Sequence, residues 1–191
     1  MVRSSPRALV GLLASAAAVS AAPTARDANP GCTAASLGNF DWSIAEFVYN
    51  KSIVFSTPAH QIDNGIVQFN LTNPALAYPA VCQAYSTQLS DFFYGNIIYN
   101  CTSEGDETTT TFAFNAPAET LDVNQTWTCS DKDPQYPDTF HYQGSVNLTL
   151  DCTSDYYKNP NWEIGQIYTS NLTTCKQEGV TVTPYAAEAE A

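Results

Sequence analysis

The chain has 191 residues, and its 19 Asp and Glu against 7 Lys and Arg give a net charge of −12. Such an acidic surface repels phosphate backbones and anionic lipid headgroups, which argues against binding to nucleic acid or to a membrane surface. The length fits one domain, and charged residues make up only 14% of the chain, so most of its polarity comes from uncharged side chains.

Residues 1–22 have the pattern of a secretory signal peptide. A short basic start, MVRSSPR, precedes the apolar run ALVGLLASAAAV, which is too short to span a bilayer as a helix. Small residues follow, so we expect cleavage near Ala21 or Ala22. No later run is apolar for the length of a membrane span, and we therefore expect a soluble, extracellular product.

Residues 23–38 are rich in Ala, Pro, Asn and Gly, which predicts a flexible lead-in, and a short propeptide ending at Arg26 is an alternative. From residue 39 onward apolar and polar residues alternate, as the apolar Phe40, Trp42 and Ile44 show. Such a period of two is typical of half-buried antiparallel strands. The same alternation returns in four later segments: 67–71, 112–114, 146–152 and 180–182.

Turn-forming residues separate these runs, as in Asp63–Gly65 and Tyr136–Asp138, and only Gln88–Tyr94 could form a helical turn. Strands at this spacing predict an all-β fold, a single antiparallel β-barrel or barrel-like sandwich of about nine to eleven strands. We assign this domain to residues 39–185 and a disordered tail to residues 186–191.

Six cysteines follow the leader, and none belongs to a C-x-x-C pair, so the usual zinc and thiol-redox spacings are absent. An even number of cysteines in an exported chain predicts three disulfides, without showing which cysteines pair. The six are Cys32, Cys82, Cys101, Cys129, Cys152 and Cys175.

Six N-x-[ST] sequons also favour export, because such sequons are glycosylation acceptors of secreted proteins. A glycan must be solvated, so each modified asparagine must lie at the surface. Asn70 and Asn147 fall on the polar face of their predicted strands, so the sequons and the alternation agree on which face is exposed to solvent. Asn100 differs from the others, because Cys101 lies inside its sequon. The predicted glycosylation sites are Asn50, Asn70, Asn100, Asn124, Asn147 and Asn171.

Nucleophilic and zinc-dependent catalysis have little support in the sequence. It contains neither a G-x-S-x-G nor an H-E-x-x-H motif. Its two histidines, His60 and His141, are interpreted as a loop residue and a solvent-facing strand residue. Asp131 and Asp133 could bind calcium weakly, but their loop lacks the glycine and glutamate of an EF-hand. We predict no catalytic residue, no metal and no cofactor.

Paired carboxylates are the main enzymatic alternative, because glycoside hydrolysis needs two acids at a fixed separation. Glu46 is the best candidate, since it lies in the aromatic segment DWSIAEF. We favour instead a bulge at Ala45–Glu46 that turns Glu46 to solvent.

Aromatic residues are the remaining candidates for a binding site, and the chain has 11 Tyr, 9 Phe and 3 Trp. The runs FFYGNIIY and SDYYKNPNW have a more exposed composition than the other aromatic segments. Aromatic faces bind sugars and flat ligands, although tyrosines that merely cap a small β-core are the simpler interpretation.

Several short segments occur in a characteristic order: Cys32 ten residues before Trp42 in DWSIAEF, then VCQA at Cys82, YNC at Cys101 and TFAFN at 111–115. This order resembles the Alternaria major-allergen family, a group of small secreted fungal β-barrel proteins. The similarity covers roughly residues 32–150. The resemblance implies an antiparallel β-barrel with no assigned catalytic centre. Its members are associated with allergenicity, host interaction and, in some cases, the binding of small plant phenolics.

The resemblance also implies a disulfide between Cys82 and Cys101 and, in the family, a cysteine matching Cys32 that can link two subunits. This chain departs from the pattern in its later cysteines, which argues against a covalent dimer. Two further pairs would complete three bridges inside one chain: Cys129–Cys152 and Cys32–Cys175.

We therefore expect a secreted, non-enzymatic glycoprotein that binds a host protein, a cell-wall glycan or a small aromatic ligand, with a homodimer as one oligomeric state. The first alternative is a secreted carbohydrate-active enzyme that uses Glu46 with a second acid. The other is a structural protein of the cell wall without a specific ligand.

Overall fold

The computed structural model describes residues 31–104 and 108–190, so the predicted signal peptide and residues 23–30 of the lead-in lie outside the described residues. The described residues form one short helix and eleven strands. These are α1 (Cys32–Ser36), β1 (Trp42–Thr57), β2 (His60–Thr72), β3 (Ala80–Ser86), β4 (Tyr99–Ser103), β5 (Thr108–Asn115), β6 (Thr120–Cys129), β7 (Asp138–Asn147), β8 (Asp151–Lys158), β9 (Thr169–Gln177), β10 (Val180–Val182) and β11 (Pro184–Glu190).

All eleven strands belong to one antiparallel sheet in the order β11-β7-β6-β5-β4-β3-β2-β1-β9-β8, with β10 paired to β1. The sheet curls into a half-barrel, and the chain has three disulfides, which confirms the predicted fold class. Most neighbours in the sheet also follow each other along the chain, because short turns join antiparallel strands. Three pairs are exceptions: β1 with β9, which places the β8–β9 hairpin beside the first strand, β1 with β10, and β7 with β11.

Most of the apolar residues that alternate in the sequence line the inside of the curl. In β6, for example, every second residue from Leu121 to Cys129 is buried, and Trp127 among them is completely inaccessible to solvent. Burial of this large aromatic core drives folding, since each fully buried apolar side chain contributes about 1.5–3 kcal/mol. The segment 146–152 is not one strand, because β7 ends at Asn147 and β8 begins at Asp151, and Cys152 is exposed. No helix in the described part of the chain combines the length and the hydropathy that crossing a bilayer requires.

The last two strands connect β1 with β7, which are far apart in the strand order. Val182 in β10 pairs with Trp42 in β1, and two residues later Pro184 in β11 pairs with Gly144 in β7. Gly144 leaves room for this crossing, because a Cβ atom there would lie 2.8 Å from Val182 Cγ1 and 3.0 Å from Trp42 Cζ3.

Gly144→Ala is therefore expected to lower the free energy of unfolding by about 1–3 kcal/mol, as overpacking of a filled core does. The matched control is Gly179→Ala, because a Cβ atom there meets nothing within 4 Å. Urea unfolding of both variants tests this prediction. Equal stabilities for the two would show that the β10–β11 crossing has spare room.

The structure differs from the predicted domain boundaries at both ends. Residues 31–38 of the predicted flexible lead-in contain α1, whose Thr33 and Ser36 are buried. The predicted tail from residue 186 instead continues β11, which pairs with β7 as far as Glu190. Both segments are held by partners far away in sequence, and local composition carries no signal for such partners. The segment Gln88–Tyr94 is not helical either and contains an isolated bridge.

The three disulfides join Cys82 to Cys101, as the resemblance implies, Cys32 to Cys129 and Cys152 to Cys175. The expected pairs Cys129–Cys152 and Cys32–Cys175 are wrong. Strand register is the reason, because β8 and β9 place Cys152 directly opposite Cys175, where both side chains share one face. Cys129 ends β6, which faces α1. All six cysteines lie in the described residues, and none is free.

Candidate functional site

A surface cleft of about 410 Å³ lies where the segment after α1 and the start of β1 meet β7 and the β10–β11 corner. The cleft therefore forms only where segments that are remote along the chain meet. Its lining residues are Leu37, Gly38, Asn39, Phe40, Asp41, Tyr142, Thr183, Pro184 and Ala187.

Two half-buried aromatic rings form the apolar wall of the cleft. The ring centroids of Phe40 and Tyr142 lie 5.1 Å apart. On its other side Tyr142 stacks on Trp127, with ring centroids 5.1 Å apart. Trp127 in turn stacks on Phe140, with centroids 5.8 Å apart. Aromatic pairs of this kind stabilise one another beyond the area that they bury, so these contacts hold the wall in place without a ligand.

Hydrogen bonds to the buried Ser36 hold this wall against α1. The indole Nε1 of Trp127 donates to Ser36 Oγ over 2.8 Å, and Ser36 Oγ donates to the Cys32 carbonyl over 2.8 Å. The hydroxyl of Tyr142 donates to the Ser36 carbonyl over 2.6 Å, and burial raises the pKa of Tyr142 above its ordinary value. The tyrosine therefore stays neutral and donates at physiological pH.

A carboxylate from the loop after β6 caps the start of α1. Asp131 Oδ1 accepts hydrogen bonds from the Thr33 hydroxyl over 2.6 Å and from the Thr33 backbone N–H over 3.0 Å. These two bonds hold the pKa of the Asp131 carboxyl below its ordinary value. Asp131 also lies near the sulfurs of Cys32 and Cys129, but disulfide sulfurs are not the thiolates that bind metals.

The lowered pKa of Asp131 predicts how stability responds to acid. A carboxyl whose pKa is depressed in the folded state contributes stability above its unfolded pKa of about 3.9, and this contribution is lost as the pH falls through the folded pKa. Asp131→Asn is therefore expected to lower the melting temperature at pH 7 by more than it does at pH 3. Thermal melts at the two pH values test this, with Asp155→Asn on the exposed strand β8 as the control. An unchanged gap between wild type and Asp131→Asn would contradict the role of the cap.

The rim of the cleft carries one carboxylate. Asp41 Oδ1 accepts a hydrogen bond from the Thr183 hydroxyl over 2.6 Å, and its side chain remains exposed. Leu37, directly after α1, is 63% exposed. The cleft thus combines an aromatic wall, an exposed aliphatic side chain and a hydrogen-bond acceptor, while its lining contains no lysine or arginine.

Glu46 is exposed at a β-bulge, where the register of β1 against β2 shifts between Ala45 and Val48. This is the arrangement that the sequence analysis favours. Glu46 Oε2 accepts a hydrogen bond from Asn70 Nδ2 over 2.7 Å. A shallow groove of about 210 Å³ lies beside it, and Glu46 is the single carboxylate among the residues that line this groove. The second acid that glycoside hydrolysis needs is therefore not in this lining.

The other candidate residues have separate structural contacts. His60 Nδ1 lies 2.9 Å from Ser56 Oγ, and the half-buried His141 has its Nδ1 2.9 Å from Thr126 Oγ1. Asp133 Oδ1 accepts a hydrogen bond from the backbone N–H of Gln135 in its own loop. The structure therefore assigns turn and strand contacts to residues that the sequence singled out for chemistry.

The six sequon asparagines all lie in the described residues, and none is buried. Asn100, Asn147 and Asn171 are exposed, whereas Asn50, Asn70 and Asn124 are half-buried. The predicted glycans require asparagines that solvent can reach, and all six positions meet this requirement.

The two aromatic runs divide between core and surface. In FFYGNIIY, Phe92 and Phe93 are completely buried, whereas Ile98 is 67% exposed. In SDYYKNPNW, Tyr156 and Tyr157 are exposed on β8. Neither run contributes to the lining of the cleft.

Sequence reasoning missed the cleft because its residues carry no shared local pattern. Phe40 belongs to the alternation that predicts the core, and Tyr142 is only a neighbour of His141 in a predicted strand. Pairing of β11 with β7 brings Ala187 opposite Tyr142, and this contact spans 45 positions that periodicity does not relate.

A family model described as Alternaria alternata allergen 1 matches residues 44–175, which is more than half of the chain. No curated protein and no solved structure matches the chain at a significant level.

Proposed function

The chain belongs to the Alternaria alternata allergen 1 family, and from this premise we propose that it is a secreted, non-enzymatic glycoprotein that binds a small aromatic ligand bearing hydroxyl groups. Membership in an allergen family suggests a protein that is not an enzyme. The predicted signal peptide, the three disulfides and the six sequons support export, because disulfides persist in oxidising compartments.

The cleft against Phe40 and Tyr142 is the observation that carries this proposal. Its volume of about 410 Å³ falls in the range typical of small-molecule sites. An aromatic ligand would pack against the preformed wall, and one of its hydroxyls would donate to the Asp41 carboxylate. The resemblance to a family in which some members bind plant phenolics points to the same ligand class.

The charge of the cleft narrows the class of ligand further. The lining contains a carboxylate and no cation, and the net charge of the chain is −12. A neutral polyhydroxylated flavone is therefore expected to bind more tightly than an analogue carrying a carboxylate, because like charges repel at the Asp41 rim.

Calorimetric titration of the full secreted chain with a polyhydroxylated flavone tests the proposal. Leu37→Ser should weaken binding about fivefold, since it removes roughly 1 kcal/mol of apolar contact. The matched control is Ile62→Ser, because Ile62 on β2 is similarly exposed, at 53% against 63%, and lies outside the cleft. Asp41→Asn should reduce the preference for the neutral flavone over its carboxylated analogue.

Equal affinities for the Leu37→Ser and Ile62→Ser variants would place the ligand elsewhere. Absence of saturable binding by wild type would overturn the small-ligand proposal and leave a host protein or a cell-wall glycan as the partner to examine. Cys32 is bonded to Cys129 inside the chain, so a homodimer would be non-covalent unless that disulfide opens.

A further inference from the structure

We propose that the groove beside Glu46 is the seat of the first sugar of an N-linked glycan on Asn70, so that this glycan is held against the outer face of β1, β2 and β3. The proposal concerns a modification site, is separate from the cleft and does not depend on the proposed ligand. It rests on the contacts of Asn70, on the unusual backbone of Glu46 and on the chemistry of the groove.

Asn70 begins the sequon Asn70-Leu71-Thr72, and its side chain is half-buried on the outer face of β2. The atom that would carry the sugar, Nδ2, lies 2.7 Å from Glu46 Oε2. An amide nitrogen has two N–H bonds. One is exchanged for the bond to the anomeric carbon of the sugar, and the other can still donate to Glu46 after modification.

The transfer reaction balances with a lipid-linked oligosaccharide diphosphate as the donor. The Nδ2–C1 bond forms as the bond between C1 and the diphosphate oxygen breaks. The lipid diphosphate leaves, and one amide proton is lost to the transferase or to water. Because Asn70 Nδ2 is already engaged in the folded sheet, we infer that transfer precedes the pairing of β1 with β2.

Glu46 reaches Asn70 because of its position in the β-bulge. Its φ of 57° lies in the left-handed region, which residues other than glycine seldom adopt. Such backbone conformations persist where the surrounding structure requires them, and they cluster at functional positions. Here the bulge removes Glu46 from the regular alternation and points its carboxylate along the outer face toward the sequon.

The groove has the chemistry that a sugar ring requires. Gln68 and Gln83 stand directly opposite each other on β2 and β3, and both are exposed. Their amides can donate to and accept from sugar hydroxyls, while the exposed Val81, opposite Asn70, offers an apolar contact. The volume of about 210 Å³ suits one ring, and the covalent link to Asn70 supplies a high effective concentration.

The test uses the full chain secreted from a eukaryotic host and has two readouts. Glycopeptide mass spectrometry is expected to find Asn70 occupied, and an unmodified Asn70 would overturn the proposal. The rate at which a peptide-N-glycosidase releases the Asn70 glycan is then compared between the native protein and the reduced, denatured protein. We expect release from the native protein to be about tenfold slower, the effect of one charge-assisted hydrogen bond.

Variants separate the groove from general crowding at a half-buried asparagine. Glu46→Gly removes the carboxylate and suits the left-handed backbone, so native release should speed up severalfold. The matched control is Glu119→Gly, because Glu119 has a similar φ of 51° and does not line the groove. Gln83→Ala, on a regular part of β3, should also speed release if Glu46→Gly fails to fold. The proposal would be refuted if the wild type released the Asn70 glycan equally fast in its native and denatured states. It would also be refuted if the groove variants released the glycan no faster than the wild type.

Discussion

Replacing Cys32 and Cys129 together with alanine is expected to lower the free energy of unfolding by about 4–5 kcal/mol. The two residues are 97 positions apart, so their disulfide restricts a very long loop of the unfolded chain. It also attaches α1 to β6, and α1 carries the Ser36 groups that position Tyr142 and Trp127. The same variant should therefore lose flavone binding.

The other two disulfides provide matched comparisons. Cys82–Cys101 spans 19 positions and Cys152–Cys175 spans 23, so each double alanine variant is expected to cost only about 3 kcal/mol. Guanidinium unfolding of the three variants gives the order of stabilities. If loss of Cys32–Cys129 proves the least damaging, α1 contributes little to the stability of the half-barrel.

Trp127→Ala is expected to lower the free energy of unfolding by about 3–5 kcal/mol, the usual cost of emptying a large aromatic site. Trp127 is completely buried, stacks on both Phe140 and Tyr142, and donates its indole N–H to Ser36. Its removal would leave a cavity directly behind the aromatic wall of the cleft.

Trp162→Ala is the control for this prediction. Trp162 is half-buried in the loop between β8 and β9, where its Nε1 also donates to a partner, the Gln166 carbonyl. The two variants lose the same chemical group, so the difference between them measures burial. We expect the control to cost less than half as much in urea unfolding. Similar losses would mean that the core relaxes around the missing indole.

Prediction from sequence succeeded where a signal is local. The two-residue period in β1 and β2 predicted antiparallel strands, because one face of such a strand packs on the core and the other meets water. The bulge at Glu46 was also visible, since the alternation breaks there. The order of short motifs indicated the family that the comparison then identified.

Prediction failed where two distant segments meet. The pairing of Cys152 with Cys175 depends on the register of β8 against β9, which spacing along the chain does not encode. The helical state of residues 32–36 depends on Asp131, nearly a hundred positions later. The strand β11 looked like a tail because its backbone, and not a buried side-chain pattern, joins it to β7.

By itself the amino-acid sequence determined the acidic character, the antiparallel β-class, the even set of cysteines and the sequons, because each of these is a property of single residues or of neighbours. Only the tertiary structure decided which cysteines pair, where the cleft opens and which sequon lies beside a carboxylate. Those features arise when strands that are remote along the chain come into register, and the free energy that selects a register is shared by the whole core.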